Sequence, residues 1–373
     1  VRPSFATFPG DFLGAFADTA LLFPILILLA LKAGFSLPLL LISSGVLYLA
    51  AGLLFRLPMP VQPLKSVAIS AVSLGAGKQE ILAAALIIGA FFFLLLVFNR
   101  HLLRLPEESI RCVQWGLGLL LILQGLGGEI THGGGLPRVL LLSAILLLSM
   151  RVHSWPWLGL FAFLAFLSSF SLSSFSLSSF STSGATGIPA ASVTGIRWTL
   201  VASLVLPQLA LTSANSVLGT ELAVRAYFPD QNPSRFRPRL LFSIGAGNLL
   251  MGLIGGLPFC HGSGGLTAHY RAGARTALMN AVMGSTLIGL GFLAHHGVTA
   301  GALPAIPGAA ILLTVGVLHL GLARSLFTSR SGMLLLLLTT GLTLFSRNLL
   351  LVLAGALVFQ LLSASGRTRE VAP

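Results

Sequence analysis

Fourteen apolar stretches follow one another along the chain, with approximate cores at 13–31, 37–55, 63–76, 80–98, 110–126, 136–150, 156–172, 198–219, 240–256, 263–270, 277–294, 304–323, 331–345 and 348–364. A helix of about 20 apolar residues spans a hydrocarbon layer of roughly 30 Å, and these runs are too long and too many for the core of a soluble domain. Only 8% of the residues are charged, against about 25% in ordinary globular domains. The sequence therefore reads as an all-α polytopic membrane protein that sits in a lipid bilayer. The first residues, Val1 to Gly10, are short, carry Pro3 and Pro9 and lead straight into the first run, so no signal peptide is expected.

The net charge of +13 would suit nucleic acid if it were gathered on one face. Instead the basic residues are scattered singly along short loops, which excludes that partner and points to topology. With the N-terminus inside, 16 of the 22 Lys and Arg residues fall on the inner side and 5 on the outer, with Lys65 left in the membrane. This bias puts both termini in the cytoplasm and the protein in the cell's inner (plasma) membrane. Seven runs on each side of the chain's middle invert the second half relative to the first, the pattern of an inverted-repeat transporter.

The expected division is a first repeat with its connector over 1–195, a second repeat over 196–365 and a cytoplasmic tail at 366–373. Within the connector, Phe166 to Phe180 repeats Ser, Leu and Phe with a five-residue period, too short for a solenoid unit. Cys112 and Cys260 lie in or beside apolar segments, which argues against a disulfide framework or a cysteine metal site.

Two stretches share one layout. Gly52-Leu-Leu-Phe-Arg-Leu-Pro58-Met-Pro60-Val-Gln62-Pro-Leu-Lys65 and Gly252-Leu-Ile-Gly-Gly-Leu-Pro258-Phe-Cys-His261-Gly-Ser263-Gly-Gly265 each end an apolar helix, pass through residues that cannot hold a helix, and then resume an apolar run. Each resumed run starts a half-helix whose unpaired N–H groups and dipole favour an anion, and the two are expected to meet at the membrane midplane.

Lys65 is a buried charge costing at least about 2.5 kcal/mol on insertion scales, so it needs a partner or a role; the plain alternative is snorkelling to an interface. Gln62 and Ser66 complete a donor-rich rim. Opposite them, Gly262, Gly264 and Gly265 bare the backbone while His261 and Ser263 add hydrogen bonds; the alternative is tight helix crossing by small residues. Asp18, an acidic residue in the first run, is expected to balance Lys65 or carry a proton, and His261 is a second candidate for coupling. Asn215 is the polar counterpart of Asp18 in the second half. Glu221 beside Arg225 reads as a solvated surface pair. His132-Gly-Gly-Gly135 lacks the Gly-x-Ser-x-Gly elbow of a hydrolase, and the adjacent His295 and His296 read as solvated. Neither a P-loop nor a zinc-protease motif occurs, so the chain is expected to be no enzyme and to hold no cofactor or metal.

Pro58-Met-Pro-Val-Gln-Pro-Leu-Lys-Ser66, Leu206-Pro-Gln-Leu-Ala-Leu-Thr-Ser-Ala-Asn-Ser-Val217, Pro258-Phe-Cys-His-Gly-Ser-Gly-Gly-Leu266 and Tyr270-Arg-Ala-Gly-Ala-Arg275 together resemble signatures of the molybdate transporters related to the sulfate permeases. The resemblance runs roughly from Asp18 to the C-terminus. It implies fourteen segments in a 7+7 inverted repeat, a core moving against a gate, and an oxyanion held between Gln62, Lys65 and Ser66 and His261, Gly262, Ser263, Gly264 and Gly265, with Asp18 and Asn215 lining the site. The chain departs from the family at Asp18-Thr-Ala-Leu21, where that family has Asp-x-Gly-Thr.

The expected activity is secondary transport of a tetrahedral dianion, molybdate first and sulfate second, coupled to protons, with a homodimer as a candidate assembly. Rivals are a bicarbonate or nucleobase carrier of the same fold, a passive anion channel, and an intramembrane serine hydrolase built on Ser263.

Overall fold

The computed structural model describes residues 7–98, 106–132, 195–231, 233–296 and 323–369, with isolated positions between 137 and 144 and between 313 and 321. The expected run at 156–172, most of those at 136–150 and 304–323, the Ser and Phe repeat and Gly133 to Gly135 lie outside the described residues.

The first half contains α1 (Phe8–Gly14), α2 (Thr19–Ala33), α3 (Leu37–Phe55), β1 (Gln62–Pro63), α4 (Lys65–Leu74), α5 (Lys78–Val97) and α6 (Glu107–His132). The second contains α7 (Trp198–Leu211), a π-helical stretch at Thr212–Gly219, α8 (Thr220–Tyr227), α9 (Pro233–Ile254), β2 (Phe259–Cys260), α10 (Ser263–Arg271), α11 (Leu278–His295), a 3₁₀ turn at Arg324–Thr328, α12 (Arg330–Ser346) and α13 (Leu349–Arg369). Among the described residues, Leu37–Phe55, Lys78–Val97, Trp198–Tyr227 and Leu278–His295 are long and apolar enough to cross a bilayer.

Two boundaries differ from the sequence reading. The first run is not one helix: Ala15 to Asp18 form tight i to i−3 turns between α1 and α2, and Asp18 takes the N-cap position of α2. Gly14 is pressed there against Ala274, where a Cβ would come within 2.8 Å of the Ala274 nitrogen. The last helix continues to Arg369, past the expected boundary at 365, because a helix can end in small and basic residues once its apolar turns are packed.

Glycine decides how the long helices cross. A Cβ on Gly45 of α3 would lie 2.6 Å from the Gly284 carbonyl oxygen of α11, and one on Gly89 of α5 would lie 2.9 Å from the Gly245 carbonyl oxygen of α9. Backbones therefore touch in both pairs, as small residues allow in membrane helices. The two pairs, α3 with α11 and α5 with α9, each join one half of the chain to the other.

The buried apolar residues fall into two clusters. One is built mainly from α2–α5, α7 and α9–α11, the other mainly from α6, α12 and α13, with Ile69, Ala210 and Leu211 facing the second. Polar ties cross between the halves at their outer turns. The fully buried Asp11 carboxylate accepts from the Arg275 and Thr276 amides at 2.7 and 2.9 Å and from the Thr276 hydroxyl at 2.6 Å. Arg197, just before α7, donates to Glu80 at 2.9 Å and to the Gly75 carbonyl at 2.7 Å.

Candidate functional site

The two interrupted stretches meet. Gln62 pairs with Cys260 and Pro63 with Phe259 as a two-residue antiparallel ladder, and the Leu64 amide donates to the Pro258 carbonyl at 3.0 Å. Four prolines, Pro58, Pro60, Pro63 and Pro258, forbid helix here because each lacks an N–H and restrains the residue before it. The freed backbone groups need partners, since a buried unpaired amide costs about 1–3 kcal/mol. Two asparagines supply them. Asn280 of α11 accepts from the Met59 amide at 3.0 Å and donates to the Met59 and Tyr48 carbonyls at 2.6 and 3.2 Å. Asn248 of α9 accepts from the Phe259 amide at 2.9 Å and donates to its carbonyl at 2.7 Å.

From this ladder α4 and α10 begin, and the expected residues gather around it. Gln62 is buried and donates through Nε2 to Asp18 Oδ2 at 2.5 Å. Gly262 and Gly265 leave room for that side chain: a Cβ on Gly262 would lie 2.1 Å from Gln62 Oε1, and one on Gly265 would lie 2.5 Å from Gln62 Nε2 and 2.8 Å from Asp18 Oδ2. Asn215 sits in the π-helical stretch, where its Oδ1 accepts the Ser263 hydroxyl at 2.6 Å. The extra residue per turn of a π segment turns side chains out of register, a distortion frequent at functional sites.

Lys65 occupies the first position of α4, half-buried, with Asp18 within electrostatic reach and no hydrogen bond or salt bridge among the described residues. The Ser66 hydroxyl and Gln62 Oε1 are buried without a partner there. Gly264 is exposed, and nothing lies within 4 Å of where its Cβ would stand.

Three expectations are corrected. His261 is wholly buried and both ring nitrogens are engaged: Nδ1 donates to the Pro60 carbonyl at 2.7 Å and Nε2 pairs with the Ser243 hydroxyl at 2.8 Å, with Phe55 and Phe259 edge-on to the ring. It braces the ladder, and neither nitrogen is free to meet an anion in this conformation. The two helix tips are also unequal. The Ser66 and Val67 amides of α4 already donate to Gln208 Oε1 at 3.0 and 3.3 Å, whereas those of Ser263, Gly264 and Gly265 in α10 meet no acceptor among the described residues. Finally, Glu221 is buried rather than solvated, held at 2.7 Å by Arg225 and at 2.8 Å by Arg237.

Asn248, Asn280, Ser243, Asp11 and Gln208 escaped the sequence reading, although a lone amide in an apolar run such as Ala246-Gly-Asn-Leu-Leu250 carries a visible signal. Chemically, the site offers one cation, three bare amides at a helix start and a hydroxyl, a donor set without a nucleophile–base pair. Ser263 gives its proton to an amide oxygen and not to an imidazole, so the arrangement lacks the base that a serine hydrolase requires.

The same fold occurs in solved membrane proteins. It aligns with the transmembrane domain of a cyanobacterium bicarbonate transporter, BicA, with a TM-score of 0.59 at 17% identity over 95% of this chain and 99% of that one. It also aligns with the murine solute carrier 26 family member A9 anion transporter in its inward-facing state, with a TM-score of 0.69 at 14% identity over 99% of this chain and 69% of that one.

The family model described as the molybdate transporter of the MFS superfamily matches residues 10–121 and 201–320, more than half of the chain, and the protein belongs to that family. Molybdate transporter 1 of Arabidopsis thaliana is 26% identical over 94% of this chain and 87% of its own length. The protein is thus a multi-pass membrane transporter.

Proposed function

We propose that this protein is a secondary transporter of a tetrahedral oxyanion, molybdate first and sulfate second, driven by protons. The observation that carries the reading is the ladder between the two stretches, from which α4 starts with Lys65 and α10 starts with the amides of Ser263, Gly264 and Gly265 unbonded among the described residues. A doubly charged oxyanion needs both a counter-charge and several N–H donors, and a helix start supplies donors at no cost in side-chain ordering. Gln62, Ser66, Ser263 and Asn215 furnish the remaining polar wall, with Asp18 fixing Gln62 in place.

The names of the family and of the relative support molybdate over other anions. The same reading takes the chain as fourteen segments in two inverted sevens, 1–195 and 196–365 with a tail, both termini in the cytoplasm. The cluster around the ladder acts as the moving core and that of α6, α12 and α13 as the gate. Uptake of radiolabelled molybdate into proteoliposomes under an inward proton gradient tests it. Accumulation that sulfate competes for is the expected result, and no accumulation of either anion by well-folded protein would sink the reading.

A further inference from the structure

Two histidines lie at opposite ends of α10, His261 just before its N-cap and His269 in its last turn, and their surroundings are opposite. His261 has both nitrogens satisfied. His269, also wholly buried, has only one: Nδ1 lies 2.7 Å from the Gly14 carbonyl, and Nε2 is buried with no partner among the described residues. A carbonyl oxygen only accepts, so Nδ1 carries the hydrogen and Nε2 presents either a bare lone pair or a second N–H. An unmatched imidazole nitrogen in a packed interior is costly and is absent from the other histidine two turns away.

We propose that Nε2 of His269 is the site that takes up the coupling proton, with Asp18 as its counter-charge. This rests on the oxyanion–proton reading above and names the residue that performs the coupling. Asp18 packs on α10 one turn before His269, since a Cβ on Gly265 would lie 2.8 Å from Asp18 Oδ2 and positions 265 and 269 share a face of the helix.

The other charged groups around α10 are already engaged. Asp11 of α1 holds the Arg275 and Thr276 amides, and Glu221 of α8 holds Arg225 and Arg237. The π-helical stretch that packs on α10 contains no ionisable side chain. On α10 itself, Tyr270 is stacked on Tyr227 and Arg271 is exposed.

The charge balance gives the mechanism. Counted at formal charge, Asp18 and Lys65 cancel when the site is empty, and a dianion leaves it two charges negative. A proton added to the Nε2 lone pair returns one positive charge without disturbing the Nδ1 bond to Gly14. Anion binding and proton binding then favour each other, and by linkage the effect is reciprocal. When the anion leaves, the proton leaves from the same nitrogen.

The test is calorimetric titration of the purified full chain with molybdate, in buffers of different ionisation enthalpy, between about pH 5 and 8, the span over which histidine side chains change charge. The wild type is expected to take up close to one proton per anion and to bind up to about tenfold more tightly per pH unit of acidification. His269→Gln is expected to bind molybdate with uptake near zero and a pH dependence below about twofold. Wild-type binding with no proton uptake, or His269→Gln with uptake unchanged, overturns the proposal. If His269→Gln fails to fold, His269→Asn and the wild-type slope against pH decide it in the same way. A wild type that binds no molybdate overturns the transport reading instead, and this proposal with it.

Discussion

The two interrupted stretches share a sequence layout and a ladder, yet they are furnished differently. The first is entered through Arg56, a non-glycine residue in the left-handed region at φ 56°, and the second through Gly255 at φ 73°. The first carries side chains, Gln62, Lys65 and Ser66, and its helix start is capped by Gln208. The second is stripped to glycine, and its helix start is open. Charge and bare backbone are thus contributed from opposite sides. In the site proposed above, the two would close on one anion from either side of the ladder.

The contrast can be broken most severely at Lys65. Replacing it with alanine removes the charge of the first tip, and a charge-assisted contact is worth about 1.5–3 kcal/mol, so molybdate affinity is expected to fall roughly 10- to 100-fold. Lys65→Arg should keep part of it, and an equal fall for sulfate and molybdate would place the lysine on charge and not on size. Equilibrium binding to purified protein measures this directly.

Next come the glycines of the second tip. Gly265→Ala forces a methyl group to within 2.8 Å of the Pro60 ring as well as of Asp18, and is expected to destabilise by about 1–3 kcal/mol. Gly264→Ala meets open space and should melt at the wild-type temperature. Thermal denaturation in detergent distinguishes them, and equal losses would show that the glycines serve packing alone.

The asparagine clamps test whether the two stretches are held alike. Asn280→Ala and Asn248→Ala each strand a buried backbone pair, and each is expected to cost about 1–3 kcal/mol. A much smaller loss for one of them would show that its stretch is held by the ladder alone.

Ser263→Ala is the mildest change. It deletes one hydroxyl bonded to Asn215, leaves the amides in place, and is expected to weaken binding by about 0.5–1.5 kcal/mol. Complete loss of uptake at unchanged stability would shift the weight of the site from backbone to side chain.

Much of this was legible in the sequence. Apolar run length placed α3, α5 and α11 within a few residues of where they stand, because run length and proline breaks are local signals. The same prolines and glycines located both tips and, with them, Gln62, Lys65 and Ser263. What stayed hidden depends on partners distant in the chain. Gln208 lies 142 residues from the Ser66 amide it caps, and Asn280 lies 221 residues from Met59. His261 and His269 look interchangeable as letters, two histidines within one short stretch.

The sequence by itself determined that the chain enters a bilayer, where its helices break and which polar residues cluster at the breaks, since these follow from hydropathy and from backbone stereochemistry. The tertiary structure alone decided which helix tip keeps its amides free and which histidine keeps an unmatched nitrogen. A hydrogen-bonding group is used up by whatever the fold brings within about 3 Å of it, and no local pattern records that neighbour.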